Sequence, residues 1–369
     1  WAAWEAEHRA CREGVIAMDM SFMAKFRVEG PGAGAVLDRL SANAVDGETG
    51  TITYTQWLNE RGTIEADLTV TKLEPGTLGA LSADGGPSYL VVATDTAHRH
   101  VHSILARACA AAAGAGGAAF VFDATAALAQ INLQGPRSRE VLAEVTSADV
   151  SDGAVPYRAV REIDVGFARV LAVRITYLGE LGYELYVPAE QAVHVYDRLV
   201  AVGERFGLRH AGLRALSSLR LEKGYRDYGH DIDNTDGPLE AGFGFALALD
   251  KPGGFVGLDA VLAVKAAGPL QRRLVSVLIT DPEPLLHHAE VLRRDGRVAG
   301  YVRAGSYGHT LGGAVGLAMV DAGPAGPHQP VTAAWLDEGE WTVDIARRRW
   351  PARVSLRPLY DPANERIKA

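Results

Sequence analysis

Asp67 stands in a stretch where a strand is expected. In Ile64-Glu-Ala-Asp-Leu-Thr-Val70, apolar and polar residues alternate. Ile64, Ala66, Leu68 and Val70 therefore share one face, and Glu65, Asp67 and Thr69 the other. Aspartate is unfavourable in strands, so its presence asks for a reason. A solvated surface carboxylate is one reading; a carboxylate kept for proton transfer or for steadying a cation is another. A second constellation is Tyr177-Leu-Gly-Glu-Leu-Gly-Tyr-Glu184. Its two glycines make a tight turn feeding a strand, with Glu180 and Glu184 as acids. It reads either as a hairpin with surface acids or as an aromatic wall with a carboxylate at a ligand's edge. The third runs Arg220-Leu-Glu-Lys-Gly-Tyr-Arg-Asp-Tyr-Gly-His-Asp231 and on to Pro238-Leu-Glu240. With so few apolar residues, it reads as a helix terminus entering an irregular loop that lines a site.

Two other patterns carry less. On a strand, His98, His100 and His102 would share a face and could bind a metal. On the helix this stretch predicts, only His98 and His102 stack, with no carboxylate motif beside them, so no metal site is read there. His287-His288 reads as an exposed loop. Gly30-Pro-Gly-Ala-Gly34 looks superficially like a dinucleotide loop. Pro31 removes a phosphate-facing N–H, Leu37 occupies the third glycine position, and no acidic strand end follows about 20 residues on. It is a turn. No Walker loop or GxSxG elbow is present.

The elements that must position these residues follow from periodicity and punctuation. Trp4, His8, Cys11 and Val15 recur at helical spacing, and 22–28 alternates as a strand. A helix covers 35–40. Strands at 54–58 and 64–70 pair through Asn59-Glu-Arg-Gly62. A strand at 90–93 precedes a helix at 96–113, N-capped by Thr94 or Asp95 and stopped by Gly114-Ala-Gly-Gly117. Strands follow at 120–122, 129–133, 169–175 and 183–187, and helices at 137–144, 189–206 and 213–222. From Pro269, short strands at 274–279, 290–292, 298–302, 315–320, 331–335, 341–346 and 352–356 are separated by Gly, Pro and Asp turns. That pattern predicts a compact β-barrel or sandwich. The irregular mixture before it suits antiparallel α+β better than a doubly wound sheet. The expected division is 1–268 and 269–369.

With 369 residues, 22% charged and 48% hydrophobic, the chain is globular and long enough for two or three domains. Thirty-seven Lys+Arg against 45 Asp+Glu give a net charge of −8, which argues against nucleic acid or an anionic membrane as partner. No run of about 18 apolar residues exists to span a bilayer. Cys11 and Cys109 make neither a CxxC pair nor a zinc spacing. No basic region with a cleavage site follows Trp1, so no secretory signal is expected. The expected compartment is cytoplasmic, or the mitochondrial matrix in a eukaryote.

Further segments join these in a fixed order: Ala24-Lys-Phe26 with Gly30, Tyr54-Thr-Gln-Trp-Leu-Asn-Glu-Arg-Gly62, Asn132-Leu-Gln-Gly-Pro136, Leu219 to Tyr225, Gly229-His-Asp-Ile232, Gly300-Tyr-Val302 and Tyr307-Gly-His-Thr-Leu-Gly312. Together, over nearly the whole chain, they resemble the aminomethyltransferase family, the T-protein of the glycine cleavage system and its relatives. The likeness is closest to the folate-binding C-terminal half of sarcosine and dimethylglycine dehydrogenases. It implies an α+β fold of two intertwined lobes plus a C-terminal β-barrel, three-lobed around a central tetrahydrofolate site. By position, Asp67 matches the family's catalytic aspartate. Tyr54 matches a tyrosine lining the pterin site, and Tyr177 and Glu184 the pterin-contacting pair. Arg220 and Glu240 fall among the implied folate-binding residues.

The residue types suit that role. One carboxylate can accept the N–H and NH₂ that a reduced pterin presents side by side, which is the work implied for Glu184. Asp67 can orient a weakly nucleophilic amine, stabilise the cation that forms on attack, and remove a proton. No metal and no covalent enzyme intermediate are required. Departures from the T-protein pattern favour the dehydrogenase-type branch. Ala66 replaces the first of two aspartates, Leu216 an arginine, Thr94-Asp95-Thr96 an asparagine-rich stretch, and Arg303-Ala304 a small polar pair. The resemblance does not extend to the flavin half of those dehydrogenases, so this chain is expected to bind no flavin. A separate or upstream FAD-dependent portion, beside a small methyl or aminomethyl donor, is an expected partner.

The expected function is transfer of a methylene unit from an N-methyl-derived iminium or aminomethyl donor, of sarcosine or dimethylglycine type, to tetrahydrofolate. One alternative is a tetrahydrofolate-dependent demethylase that moves an intact methyl group. The other is a non-catalytic folate-binding assembly factor; those carry a Lys-Gly-Cys-Tyr-type segment, and Lys223-Gly224-Tyr225 lacks the cysteine.

Overall fold

A computed structural model describes residues 1–79, 86–114, 117–322 and 329–369. In chain order, α1 (Ala2–Glu13) is followed by β1 (Ile16–Asp19), β2 (Ala24–Glu29), α2 (Ala33–Leu40), β3 (Thr51–Leu58), β4 (Ile64–Leu73), β5 (Ser88–Ala93), α3 (His98–Gly114) and β6 (Phe120–Asp123). Then come β7 (Leu128–Gln134), α4 (Ser138–Val145), β8 (Val160–Val165), β9 (Ala168–Val173), β10 (Gly182–Pro188), α5 (Ala192–Gly203), β11 (Arg209–His210), α6 (Leu213–Glu222) and α7 (Leu258–Ala266). The last region holds β12 (Arg272–Ile279), β13 (Val291–Arg294), β14 (Arg297–Gly308), β15 (Gly313–Asp321), α8 (Ala333–Asp337), β16 (Trp341–Ile345) and β17 (Arg348–Ser355).

The strands form three sheets. One has the order β3-β4-β5-β2-β6, a second β11-β1-β7-β10-β9-β8, and the third closes into a barrel, β12-β15-β14-β13-β16-β17. The chain starts in the second sheet at β1, builds the first, and returns at β7, so the two lobes are intertwined α+β units with a C-terminal β-barrel.

Alternation dictates which face each sheet buries. Ile64, Ala66, Leu68 and Val70 are buried, while Glu65, Asp67 and Thr69 keep an open side. Ala66, Leu68 and Val70 pack with Val101 and Leu105 of α3. In the second sheet, Leu133, Tyr183, Leu185 and Val187 pack against Val195 and Leu199 of α5. The remaining faces of the two sheets meet. Ile52, Leu73, Leu90 and Val92 from the first touch Leu171, Val173 and Tyr186 from the second in one apolar layer. Burial of such side chains contributes about 1.5–3 kcal/mol each. At Gly182 a Cβ would lie 2.1 Å from Gln134 Oε1 on the paired strand, so any side chain there must displace the Gln134 amide.

A buried ionic knot ties the ends of the chain to the middle. Arg12 of α1 meets Glu222 of α6 at 3.0 Å and Glu180 of the β9–β10 turn at 3.2 Å, and donates to Leu178 O at 2.7 Å. Burial opposes the Glu222 charge, but His8 and Arg12 outweigh it and hold the carboxyl down at about 2. Arg366 also pairs with Glu180, at 2.9 Å. Glu180 is thus a structural anchor, not a surface acid.

The structure corrects the sequence reading in places. The stretch 331–335 is not a strand: Thr332 Oγ1 caps the Trp335 N–H and α8 begins at Ala333. The buried Trp335 and Leu336 then plug the barrel core. Strands β1 and β8 and helix α7 are additional elements. Among the described residues, no helix is long and apolar enough to cross a membrane.

Candidate functional site

The β3–β4 hairpin places Asp67 directly opposite Gln56. Residues two apart on a strand share a face, so Tyr54 lies beside Gln56. Tyr54 Oη donates to Asp67 Oδ2 at 2.8 Å, and Gln56 Nε2 to Oδ1 at 2.9 Å. The same face of β4 carries Leu73 into the layer between the two sheets, so Asp67 looks into that space. Asp67 is partly open, yet burial is the largest influence on its carboxyl. Both hold for a group on the wall of a deep recess. Burial pushes it from 3.8 up to about 7, against the Tyr54 and Gln56 hydrogen bonds and the Arg226 charge. The Tyr54 ring meets Phe243 edge-on at 5.8 Å and lies near-parallel to Phe245 at 6.2 Å.

Glu184 faces the same space from the second sheet. It pairs with Asn132 across β10 and β7, and Tyr186 Oη donates to Glu184 Oε2 at 2.6 Å. Burial lifts its carboxyl from 4.5 to about 7, with the Tyr186 hydrogen bond and the Lys25 charge pulling the other way. Lys25 on β2 is itself fully buried and donates to Met23 O at 2.7 Å and Ser21 O at 3.0 Å. Burial brings its ammonium down to about 8. On the same face as Glu184, Gln130 Oε1 is buried without a hydrogen-bond partner.

The loop after α6 supplies the third wall. Tyr177 stacks on Tyr225, centroids 5.9 Å apart and planes 10° apart, and its hydroxyl donates to Arg226 O at 2.6 Å. Arg226 Nε reaches Ala241 O and Nη1 reaches Gly224 O, each at 2.9 Å. Gly242 makes room for this: its φ is +81°, and a Cβ would sit 2.4 Å from Arg226 Nη2. Burial, with the nearby Asp67 charge, holds the Tyr54 phenol well above its ordinary value, and burial does the same for Tyr177. Both remain neutral donors near neutral pH.

The six residues singled out in the sequence do not all converge. Tyr54 and Asp67 touch, Tyr177 closes the same wall, and Glu184 faces them from the opposite sheet. Arg220 has its Nη1 on both Asp231 oxygens at 3.2 Å and on Tyr225 O at 3.0 Å. It therefore braces the loop. Glu240 accepts from the Gly237 N–H at 3.2 Å and faces Arg272 at 3.6 Å. It lines a cleft of about 130 Å³ with Arg61, Thr63 and Thr235, and no contact joins it to Asp67. The histidines are spoken for: His98 meets Asp123 at 2.8 Å, His100 meets Glu65 at 2.9 Å, and His98 and His102 both lie against Phe26. Among the described residues no cluster of His, Cys, Asp or Glu could hold a metal ion.

Gln56, Tyr186, Lys25 and Arg226 carry weight that the sequence did not assign them. Strand period would have found two of them, since Gln56 and Tyr186 each lie two residues from a singled-out residue. Chemically, the site offers two carboxyls poised near neutrality, each steadied by a tyrosine hydroxyl, between aromatic walls. A carboxyl in that range can take up or release a proton at working pH.

Comparison with known proteins gives two family matches: the GCVT N-terminal domain over residues 1–251 and the glycine cleavage T-protein C-terminal barrel domain over residues 272–361. The chain is 41% identical over 362 residues to a 4-methylaminobutanoate oxidase (formaldehyde-forming) of Paenarthrobacter nicotinovorans, covering 98% of this chain and 40% of that protein. It is 33% identical to the mitochondrial sarcosine dehydrogenase of Homo sapiens, covering 97% of this chain and 38% of that protein. This chain therefore spans about two fifths of the length of these two relatives. An aminomethyltransferase of Saccharopolyspora erythraea is 35% identical, over 96% of this chain and 89% of that protein. The glycine cleavage system aminomethyltransferase T of Bartonella henselae superposes with a TM-score of 0.79 at 24% identity, covering 97% of this chain and 90% of that one, and shows the shared fold.

Proposed function

This chain belongs to the glycine cleavage T-protein family of aminomethyltransferases, a family of enzymes, and from that premise we propose that it moves a one-carbon unit from an N-methyl-derived iminium or aminomethyl donor to tetrahydrofolate. The observation that carries the reading is the pair of carboxyls, Asp67 and Glu184, each raised to about 7 and facing one inter-sheet space. Tetrahydrofolate, when bound, supplies the amine that receives the carbon. The residues present suit a reduced pterin. Glu184 engages one oxygen with Tyr186, leaving Oε1 as an acceptor for ring N–H groups. Gln130 Oε1 is a buried acceptor in need of a donor. Tyr54 and Tyr177 offer flat apolar surface with polar tips.

Asp67 is the proposed catalytic residue. Fixed by Tyr54 and Gln56, it accepts a hydrogen bond from an incoming amine and holds a proton at its carboxyl as charge develops. Tyr54, Tyr177 and Glu184 are the proposed ligand-binding residues. Arg220 keeps the Tyr225–Asp231 loop in place, and Glu240 acts through the junction with Arg272. A flavin-bearing portion that generates the iminium is a proposed partner, in keeping with relatives more than twice as long as this chain. Calorimetric titration tests the reading: tetrahydrofolate should bind this chain saturably and free FAD should not. Saturable FAD binding without folate binding would sink it. Identifying the folate product at the methylene or the methyl level decides between the two transfer chemistries.

A further inference from the structure

We propose that Lys25 is a positioning residue for Glu184: a buried ammonium on the facing sheet that lets the Glu184 carboxyl ionise as it takes a ligand. This rests on the one-carbon transfer reading above and adds a residue to its binding machinery.

The position of Lys25 is unusual for a lysine. Its neighbours Phe26 and Val28 pack with Val101 and Leu105 of α3 on one face of β2. Lys25 takes the other face, where it pairs with Val92 of β5. Val92 lies in the apolar layer between the sheets, with Tyr186 of β10. Lys25 is fully buried there, and a buried ammonium is costly unless it is bonded and paired. Two of its three N–H donors go to Met23 O and Ser21 O. Those carbonyls belong to residues 20–23, where the chain crosses from the second sheet to the first. The same connection is bonded to β7. The Met20 N–H donates to Gln130 O at 2.8 Å, and the Gln130 N–H to Ser21 Oγ at 3.1 Å. Gln130 stands opposite Tyr186, and Asn132 opposite Glu184, so all four share one face. A short run of hydrogen bonds thus leads from Lys25 through Ser21 to the strand that flanks Glu184.

Charge supplies the second argument. Glu184 has to ionise to accept two ring N–H donors, and a buried carboxylate needs a cation near it. Tyr186 gives it a hydrogen bond and no charge. Its cross-strand neighbours, Asn132 on β7 and Val173 on β9, bring no charge either. Lys25 is the cation whose charge favours the Glu184 carboxylate. In the other direction, the charges that favour the Lys25 ammonium are those of Asp19 at the end of β1, Asp123 at the end of β6, and Glu184. Asp19 and Asp123 are exposed, where water and salt screen them. Glu184 faces Lys25 from the inter-sheet space, where screening is weak. The coupling acts across that space: the Glu184 hydrogen bond goes to Tyr186 and those of Lys25 to backbone carbonyls.

Carbon-13 NMR of the glutamate carboxyls reads the Glu184 titration midpoint in the full chain without folate, with Glu184→Gln identifying the resonance. Lys25→Gln keeps amide donors for the Ser21 and Met23 carbonyls and removes the charge. Lys25→Met removes both, and Lys25→Arg keeps the charge. The midpoint should rise by about half a pH unit or more in the Gln and Met variants and stay near the parent's in the Arg variant. The pH at which tetrahydrofolate affinity levels off should move with it. A lysine that only secures residues 20–23 would alter denaturant stability and leave the midpoint in place. A parental midpoint in a folded Lys25→Gln chain therefore overturns the proposal. Coupling between two titrating groups is reciprocal. Glu184→Gln should thus lower the Lys25 ammonium midpoint, and an unchanged value there overturns the proposal should no neutral Lys25 variant fold. Both midpoints are read without folate, so a chain that binds no folate would sink the transfer reading while leaving this test standing.

Discussion

Replacing Asp67 by asparagine should stabilise the protein increasingly as pH rises from 5 to 7. The Asp67 carboxyl stands at about 7 in the fold against an ordinary 3.8, chiefly through burial. Between those values the folded chain keeps a proton that the unfolded chain has lost. Stability contributed by this group therefore falls as pH rises through the window and is flat above it. At about 1.4 kcal/mol per pH unit, the full interval corresponds to roughly 4 kcal/mol. Asp67 is partly open to water, so about half of that is the realistic share. Asparagine cannot ionise and escapes the penalty. It also fits: Tyr54 can donate to its carbonyl, and Gln56 can turn its amide so that Oε1, now buried without a partner, accepts from the new NH₂. The advantage of Asp67→Asn should grow by roughly 1–2 kcal/mol from pH 5 to pH 7 and then level off. Urea denaturation of both forms at pH 5, 6, 7 and 8 measures it. A difference that does not change with pH, or a variant less stable at pH 8, would refute the burial argument.

Glu184→Gln should weaken tetrahydrofolate binding by about 1–3 kcal/mol while slowing chemistry less, because a charged acceptor of paired N–H groups is lost in ground and transition states alike. An unchanged dissociation constant would remove Glu184 from the site. In the parent, Glu184 must ionise to accept two donors, and its carboxyl stands at about 7. Folate affinity should therefore rise with pH up to about 7 and flatten above, with protons released on binding. Calorimetry at pH 6 in buffers of different ionisation enthalpy reads that release, and none at all would contradict the assignment. Arg12→Met should cost about 3–5 kcal/mol, since it removes the arginine shared by two interior carboxylates and leaves Glu222 only His8 and Glu180 only Arg366 as charged partners. A loss under 0.5 kcal/mol in denaturant would mean the knot is not structural.

The parts of the fold carried by local rules were legible in the sequence. Alternation from Ile64 to Val70 gave β4 and both its faces, and 213–222 reads as a helix just where α6 forms. The misread 331–335 segment has β-branched and aromatic residues suited to a strand, but Thr332 acts as an N-cap and Trp335 turns inward to fill the barrel. That choice is made by packing, which periodicity does not report. Glu180 looked like a turn acid because its partners, Arg12 and Arg366, lie 168 and 186 residues away in sequence. In the site, Asp67 was conspicuous because aspartate is out of place in a strand. Gln56 was silent because its role comes from cross-strand register.

What Asp67 does when the one-carbon unit moves can be measured directly. The measurement is single-turnover formation of the folate product from tetrahydrofolate and the reactive donor, beside equilibrium folate binding, for the parent and Asp67→Asn. Loss of a positioned general base costs about 10²–10⁴-fold, and here it should appear in the rate with folate affinity nearly intact. A variant that binds folate and forms product at the parental rate would contradict the account and leave the chain a folate-binding module whose chemistry lies elsewhere.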